Sequence, residues 1–574
     1  MLNIIWDGAS ILYAYREAIL VFLITLFGLG FYSIQRTINH ELSGEIKLLA
    51  IPGIGSIVLC VSSYVLIWLS HFWPFLLQTG SNAILFFAIF VLIKGLWLGD
   101  IKVPKEIQFV VGLMLLLLLL SIRLSFLKHI ILPPYSDSPV HYQIVFGLLH
   151  PEASAQSKIS LDSLLNHYYH FGFHGMAAWL ASITHLEPAK TISILGQLFL
   201  VIGPLSTSFL VYTLTRDWNG ALFAGLLTAI GWSMPAFAVN WGKFPALISL
   251  AILPSAIAFP GLYLQDSVRK NKSVLLGYIL LIGVVLMHTR ILICVFLIMI
   301  SFFAANKLPF GERLGFFQSI RYSLLYIISL WPLQQFLVDY YYGIPAAVVL
   351  FVLLPFAFRE FPRVAVTIFL FTFGLWMVVI VPPLLGDGYP ALLDRQFLEM
   401  IFYLPLSVLG GAGISGMMRV LPVTEVLRWL IMAILSGLVI LNFAQHGVVY
   451  PDPCCDYFKE DDQLAFQWLR KQVGEHDLVL ISAFDNKDQE LGTDAGIWLY
   501  PLIGQSTNKL PFDTDWTSLA EIEKVCSLGA GQVYIYAGGR IYSFNDAQLA
   551  QGSWTEEVFK AGQTVIYRVS QCSK

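Results

Sequence analysis

Residues 273–305 read SVLLGYILLIGVVLMHTRILICVFLIMISFFAA, an apolar run broken by the polar triplet His288, Thr289 and Arg290. One straight helix of this length would measure about 50 Å, too long to stand upright in a bilayer core of about 30 Å, and two spans would both be short. The flanking charges decide between the two. Arg269, Lys270 and Lys272 precede the run and Lys307, Arg313 and Arg321 follow it, and basic loops stay on the cytoplasmic side. Both ends then lie on one side, and the run folds as a hairpin turning at the triplet. Helices of about 15 residues reach only about 22 Å, so His288 and Arg290 are expected below the outer surface, inside a cavity.

Outward from this hairpin, a ruler of roughly 20 apolar residues per span places further spans near 17–34, 49–71, 80–98, 107–127, 190–214, 219–239, 245–264, 322–338, 344–358, 364–383, 397–417 and 426–445, about 14 in all. One set of alternate loops carries about twice the Lys and Arg of the other, which assigns it to the cytoplasm. The N-terminus and the segment after Gln445 then face outward. Residues 1–15 lack the basic start and small-residue cleavage site of a leader, so the first apolar segment is expected to be retained. With 57% hydrophobic and only 12% charged residues, the chain reads as an α-helical polytopic membrane protein. Its formal net charge of −3 lacks the basic excess of a nucleic-acid binder.

Four regions follow: membrane helices over 1–127, a long outer loop over 128–189, a membrane core over 190–446, and a soluble extracytoplasmic α/β domain over 447–574. In the last, helices fit 461–472 and 516–528, strands fit 478–481 and 533–536, and a hairpin fits 554–569. Cys454, Cys455, Cys526 and Cys572 fall in this segment and suit an oxidising compartment. Adjacent Cys454 and Cys455 are expected to bond distant partners more easily than each other.

Polar residues collect on the outer side. In LPPYSDSPVHYQ, Ser138 and Pro139 look like an N-cap and first helical position, with Asp137 aimed at the positive helix end. The alternative is that Asp137 merely caps. A carboxylate there can act as general base on a hydroxyl or hold a divalent cation, and His141, one turn on, could share the ligand. His167, His170 and His174 in NHYYHFGFHG would share a face if helical, the spacing of a metal cluster, although Gly172 and the aromatics suggest a loop. Arg290 in the hairpin turn suits a phosphate, or a structural pairing with Asp394 or Asp387. Lys243 in NWGKFP and Arg395 in LLDRQ lie on the same side, so three cations could converge on one anion. Asp394 could equally be the partner of its neighbour Arg395. Trp241, Tyr169 and His288 complete the candidate substrate-binding set.

The chain resembles the GT-C superfamily of membrane glycosyltransferases, which carry an acidic residue in a long first extracytoplasmic loop, matched here by Asp137 in YSDSPVHYQ. It also looks like a multi-span bacterial and archaeal branch in YYHFGFHGMAAWLA (168–181), GPLSTSFLVYTLTRDWNGALFAGLLTAI (203–230), NWGKFPALISL (240–250) and LMHTR (286–290). The likeness covers roughly 125–420, with a weaker one at 464–483. It implies transfer of a sugar from a polyprenyl-phosphate carrier to an extracytoplasmic glycan, lipid or protein acceptor at the lipid surface. Asp137 would activate the acceptor, and Arg290, Lys243 or Arg395 would neutralise the phosphate. A divalent cation, Mg or Mn, is the cofactor such a site could take, but no second acidic residue adjoins Asp137. The extra spans before the acidic loop also depart from the family pattern. The rival reading is a secondary transporter or a lipid or glycan flippase, against which stand the missing internal repeat and the one-sided polar residues. A scaffold or sensor leaves Arg290 and the long loop unexplained.

Overall fold

A computed structural model describes residues 2–37, 44–98, 107–151, 159–265, 270–309, 311–341, 343–384, 392–421, 424–486, 489–528 and 531–570. The apolar body begins with α1 (Leu2–Ala14), α2 (Arg16–Thr37), α3 (Gly44–Phe72), α4 (Leu76–Trp97) and α5 (Ile107–Ser125). Three short helices follow, α6 (Ser138–Leu149), α7 (Leu161–Asn166) and α8 (Gly172–Thr184). The central group is α9 (Pro188–Thr215), α10 (Trp218–Ile230), α11 (Phe244–Gln265), α12 (Lys270–Met287) and α13 (Ile291–Lys307). The body ends with α14 (Phe316–Ser329), α15 (Gln334–Tyr341), α16 (Ile344–Glu360), α17 (Pro362–Leu384), α18 (Arg395–Ile401), α19 (Tyr403–Val420) and α20 (Glu425–His446).

Among the described residues eight stretches are long and apolar enough to cross a membrane, carried by α2, α3, α4, α5, α9, α17, the α18–α19 pair and α20. Shorter apolar helices lie at α10, α11, α12 and α13. The break expected within residues 273–305 is present, with α12 ending at Met287 and α13 starting at Ile291, and α12 packs chiefly on α11 while α13 packs on α17. The stretch 322–338 is instead split between α14 and α15 by a 3-10 turn at Trp331–Leu333, where Pro332 cannot continue the preceding helix.

α9 lies at the centre and is buried along nearly its whole length. α4 turns Phe86, Phe90 and Ile93 outward, a face that is costly in water and matched to lipid. Where α10 and α19 cross, a Cβ on Gly411 would lie 2.6 Å from the Gly220 carbonyl, so small residues set the approach of the backbones. The loop over 128–189 is not free of regular structure, as its length suggested. α8 has every residue from Gly172 to Ser182 buried and packs on α3, α4, α6 and α9.

The C-terminal α/β domain opens with α21 (Glu460–Gln472) and contains α22 (Leu499–Ile503), α23 (Leu519–Cys526) and α24 (Asp546–Gln551). Its strands are β1 (Leu478–Asn486), β2 (Gln489–Gly492), β3 (Thr507–Pro511), β4 (Val533–Ala537), β5 (Thr555–Ala561) and β6 (Thr564–Val569). They form one mixed sheet in the order β2-β1-β4-β6-β5, with β3 parallel to β1. Alternation along β1 separates its two faces. Val479 and Ile481 join Phe466, Trp498 and the apolar interior of the membrane body in one continuous core, while Leu480 packs with Trp516, Ile535 and Trp554 in a second.

The adjacent cysteines behave opposite to expectation: Cys454 and Cys455 are bonded to each other. They lie in a turn between α20 and α21 that brings the two side chains together. Cys526 is disulfide-bonded, and Cys572 lies outside the described residues.

Candidate functional site

Asp137 precedes α6. Its backbone is already helical, at φ −78° and ψ −26°, and its side chain makes no capping bond. The Ser138 hydroxyl donates back to the Pro134 carbonyl and does not cap either. The carboxylate reaches Lys243 instead, at 2.6 Å, with side chains 31% and 25% exposed. Two backbone features hold this approach. Tyr135 takes the left-handed φ of 67° while its N–H donates to the Cys455 carbonyl at 2.8 Å. Gly242, also left-handed, lies against Pro134 and Ser138 with no space for a Cβ. Two residues earlier, the Asn240 side-chain oxygen accepts from the Asp452 N–H at 2.9 Å, so one loop holds both the lysine and the link to the C-terminal domain.

A row of rings leads away from the pair. His141 Nδ1 lies 3.0 Å from His174 Nε2, Tyr169 approaches His174 and stacks on His170, and the rings of His170 and His288 are 4.5 Å apart. His288 then stacks on Phe397. Phe397 belongs to α18, which Asp394 caps by accepting from the Phe397 N–H at 2.7 Å. The other oxygen of Asp394 pairs with Arg290. Burial pushes the imidazoles down, His141 and His170 to about 4 and His174 and His288 well below their usual range, with repulsion from neighbouring histidines adding to the shift of the last three. The row is therefore neutral at pH 7. His174 Nδ1 and His288 Nδ1 are buried without a hydrogen-bond partner.

Several expected placements change. Arg290 lies at the turn between α12 and α13, its side chain 45% exposed and paired with Asp394. Asp394 serves Arg290 and not its neighbour Arg395, which pairs with Glu399 at 2.6 Å and Asp339 at 3.4 Å. The three cations thus each have carboxylate partners. Asp387 lies outside the described residues. Trp241 is buried against Phe237 and Tyr340 and packs the loop. His167 is exposed and bonded to the Ser163 carbonyl, in a non-helical stretch, so His167, His170 and His174 do not share a face. Sequence reading missed Tyr135, Asn240, Phe397 and Glu399, whose roles are long-range contacts without a local motif.

The described residues around Asp137 do not by themselves form a divalent-cation site. Among the described residues no group of three or more His, Cys, Asp or Glu is placed to hold one, and Asp137 has a lysine beside it where a second carboxylate would be needed.

The fold and this row define a polytopic helical membrane protein whose polar site lies beneath a C-terminal α/β domain. Residues 135–447 match the family described as "Family of unknown function (DUF6541)", and the chain belongs to that family. No curated protein matches the chain. Two solved structures of the arabinofuranosyltransferase AftD from Mycobacteria, one of a mutant, are similar at 12% identity and a TM-score of 0.33, covering 69% of this chain. The chain spans only 35% and 36% of their lengths.

Proposed function

We propose that this protein is a membrane glycosyltransferase that moves a sugar from a polyprenyl-phosphate carrier to an extracytoplasmic acceptor. The observation that carries the reading is the Asp137–Lys243 pair. A carboxylate at a helix start gains most by capping, yet this one leaves the helix end open and reaches a lysine from another loop. A partly exposed ion pair adds little stability, so stability alone does not account for the arrangement. A phosphate group does. Esterified to carrier and sugar it carries one negative charge, as a carboxylate does, so it can take the place of Asp137 at Lys243, and its arrival frees Asp137. Asp137 then accepts the proton of the acceptor hydroxyl as the oxygen attacks the anomeric carbon. The bond from that carbon to the carrier oxygen breaks with its electron pair, and Lys243 compensates the charge left on the phosphate. The neutral rings from His141 to His288 supply a floor without competing charge, and Arg290 and Arg395 stand as further cations whose carboxylate partners can be exchanged for phosphate.

The test is transfer of label from a panel of radiolabelled polyprenyl-phosphate sugars by purified protein and by Asp137→Asn. The variant is expected to lose about a hundredfold or more in rate. Intact protein that transfers from no donor to any supplied acceptor would move the assignment to a transporter.

A further inference from the structure

We propose that the cleft between the C-terminal domain and the membrane body binds a neutral saccharide, and that the acceptor is therefore a glycan; the second clause rests on the transferase reading, the first does not. The cleft encloses about 530 Å³, within the range of small-ligand sites, about 300–1,000 Å³, and has room for more than one sugar ring. Its walls come from both parts of the molecule. His129 belongs to the membrane body, Tyr450 to the link, and Arg540, Tyr542 and Gln563 to the domain.

The cations of the lining are matched or outnumbered by carboxylates. Lys459 pairs with Asp456, Arg540 with Asp461 and Asp462, and His129 lies 3.7 Å from Asp7. Arg540 faces two carboxylates at once, an excess of negative charge that disfavours an anionic ligand, whereas a polyol finds donors and acceptors of both signs side by side. Aromatic surface supplies the other half of sugar recognition. Tyr450 is 49% exposed and Tyr542 41% exposed, offering ring faces to the C–H side of a pyranose or furanose. The cleft also communicates with the carboxylate loop. Cys454 lines it, the carbonyl of the adjoining Cys455 holds Tyr135, and the Tyr457 ring in the lining lies 6.1 Å from that of Tyr135. Tyr135 is two residues from Asp137, so a saccharide seated here extends towards the proposed base.

The experiment uses full-length labelled protein in detergent on an array of neutral gluco-, manno-, galacto- and arabino-oligosaccharides with phosphorylated and sulfated counterparts. Retention of a neutral oligosaccharide is expected, with affinity reduced about tenfold in Tyr450→Ala and reduced also in Gln563→Ala. Tyr168→Ala, an exposed aromatic outside the cleft, should bind as the parent does. If Tyr450→Ala fails to fold, Tyr450→Leu and Gln563→Ala decide. No retained neutral glycan, a preference for the charged counterparts, or parental affinity in both cleft variants overturns the proposal. Saccharide binding without transfer from any donor sinks the transferase reading and leaves the cleft standing. Transfer whose acceptor KM is unmoved by Tyr450→Ala does the reverse.

Discussion

Gly242 carries the site on one backbone angle. It sits at φ +62°, and a Cβ there would lie 2.9 Å from the Pro134 carbonyl and 2.6 Å from the Ser138 hydroxyl. Gly242→Ala is expected to cost about 1–3 kcal/mol and to pull Lys243 from Asp137; an unchanged melting temperature in detergent would disprove the account. The sequence made the cation in NWGKFP legible but not its partner, because Asp137 lies more than a hundred residues away and only the fold pairs them. Asp394 is the contrary case: its pairing with Arg290 was one of the alternatives the sequence offered, and the fold selects it over Arg395, with one oxygen capping α18 and the other facing Arg290.

Arg123, near the end of α5, ties three helices together at this face. Its guanidinium donates to the Ala229 carbonyl at the end of α10 and to the Val448 carbonyl just past α20, at 2.6 and 2.9 Å. The planar fork meets two carbonyls from different helix ends at once. Arg123→Leu should therefore lower stability by about 2 kcal/mol, and Arg123→Lys should restore it only in part; thermal unfolding of the three proteins checks the order, and a Leu variant as stable as the parent sinks the role. The long helices were legible because apolar length measures them directly. α8 was not, since at 13 residues it falls short of a span and its histidines and glycines imitate a loop. The domain's outer hairpin and first helix were equally plain from alternation and periodicity, whereas β2 and β3 carry too few apolar residues to announce themselves.

On the scale of the whole molecule, three buried carboxylates of the C-terminal domain favour its folding in mild acid. Burial raises Asp494 to about 6 and raises Asp456 and Asp462 as well. Each binds a proton more readily folded than unfolded, so its contribution favours folding at low pH and is lost as pH rises through the folded value. Asp515, held down by Thr517, works the other way, but it is fully exposed. Hydrogen-exchange protection of β1 and β4 should rise as pH falls from 7 to 5, after correction for intrinsic rates, and Asp494→Asn should flatten the rise. Protection that instead falls over that interval would contradict the assignment. The domain shares more than a surface with the membrane body: Phe466, Val479, Ile481 and Trp498 belong to the same apolar interior as the helices beneath them. It is therefore a poor candidate for modular exchange. Grafting the tail of another family member onto this bundle would open a shared interior at the seam, so the two parts should change together across relatives, as halves of one fitted joint.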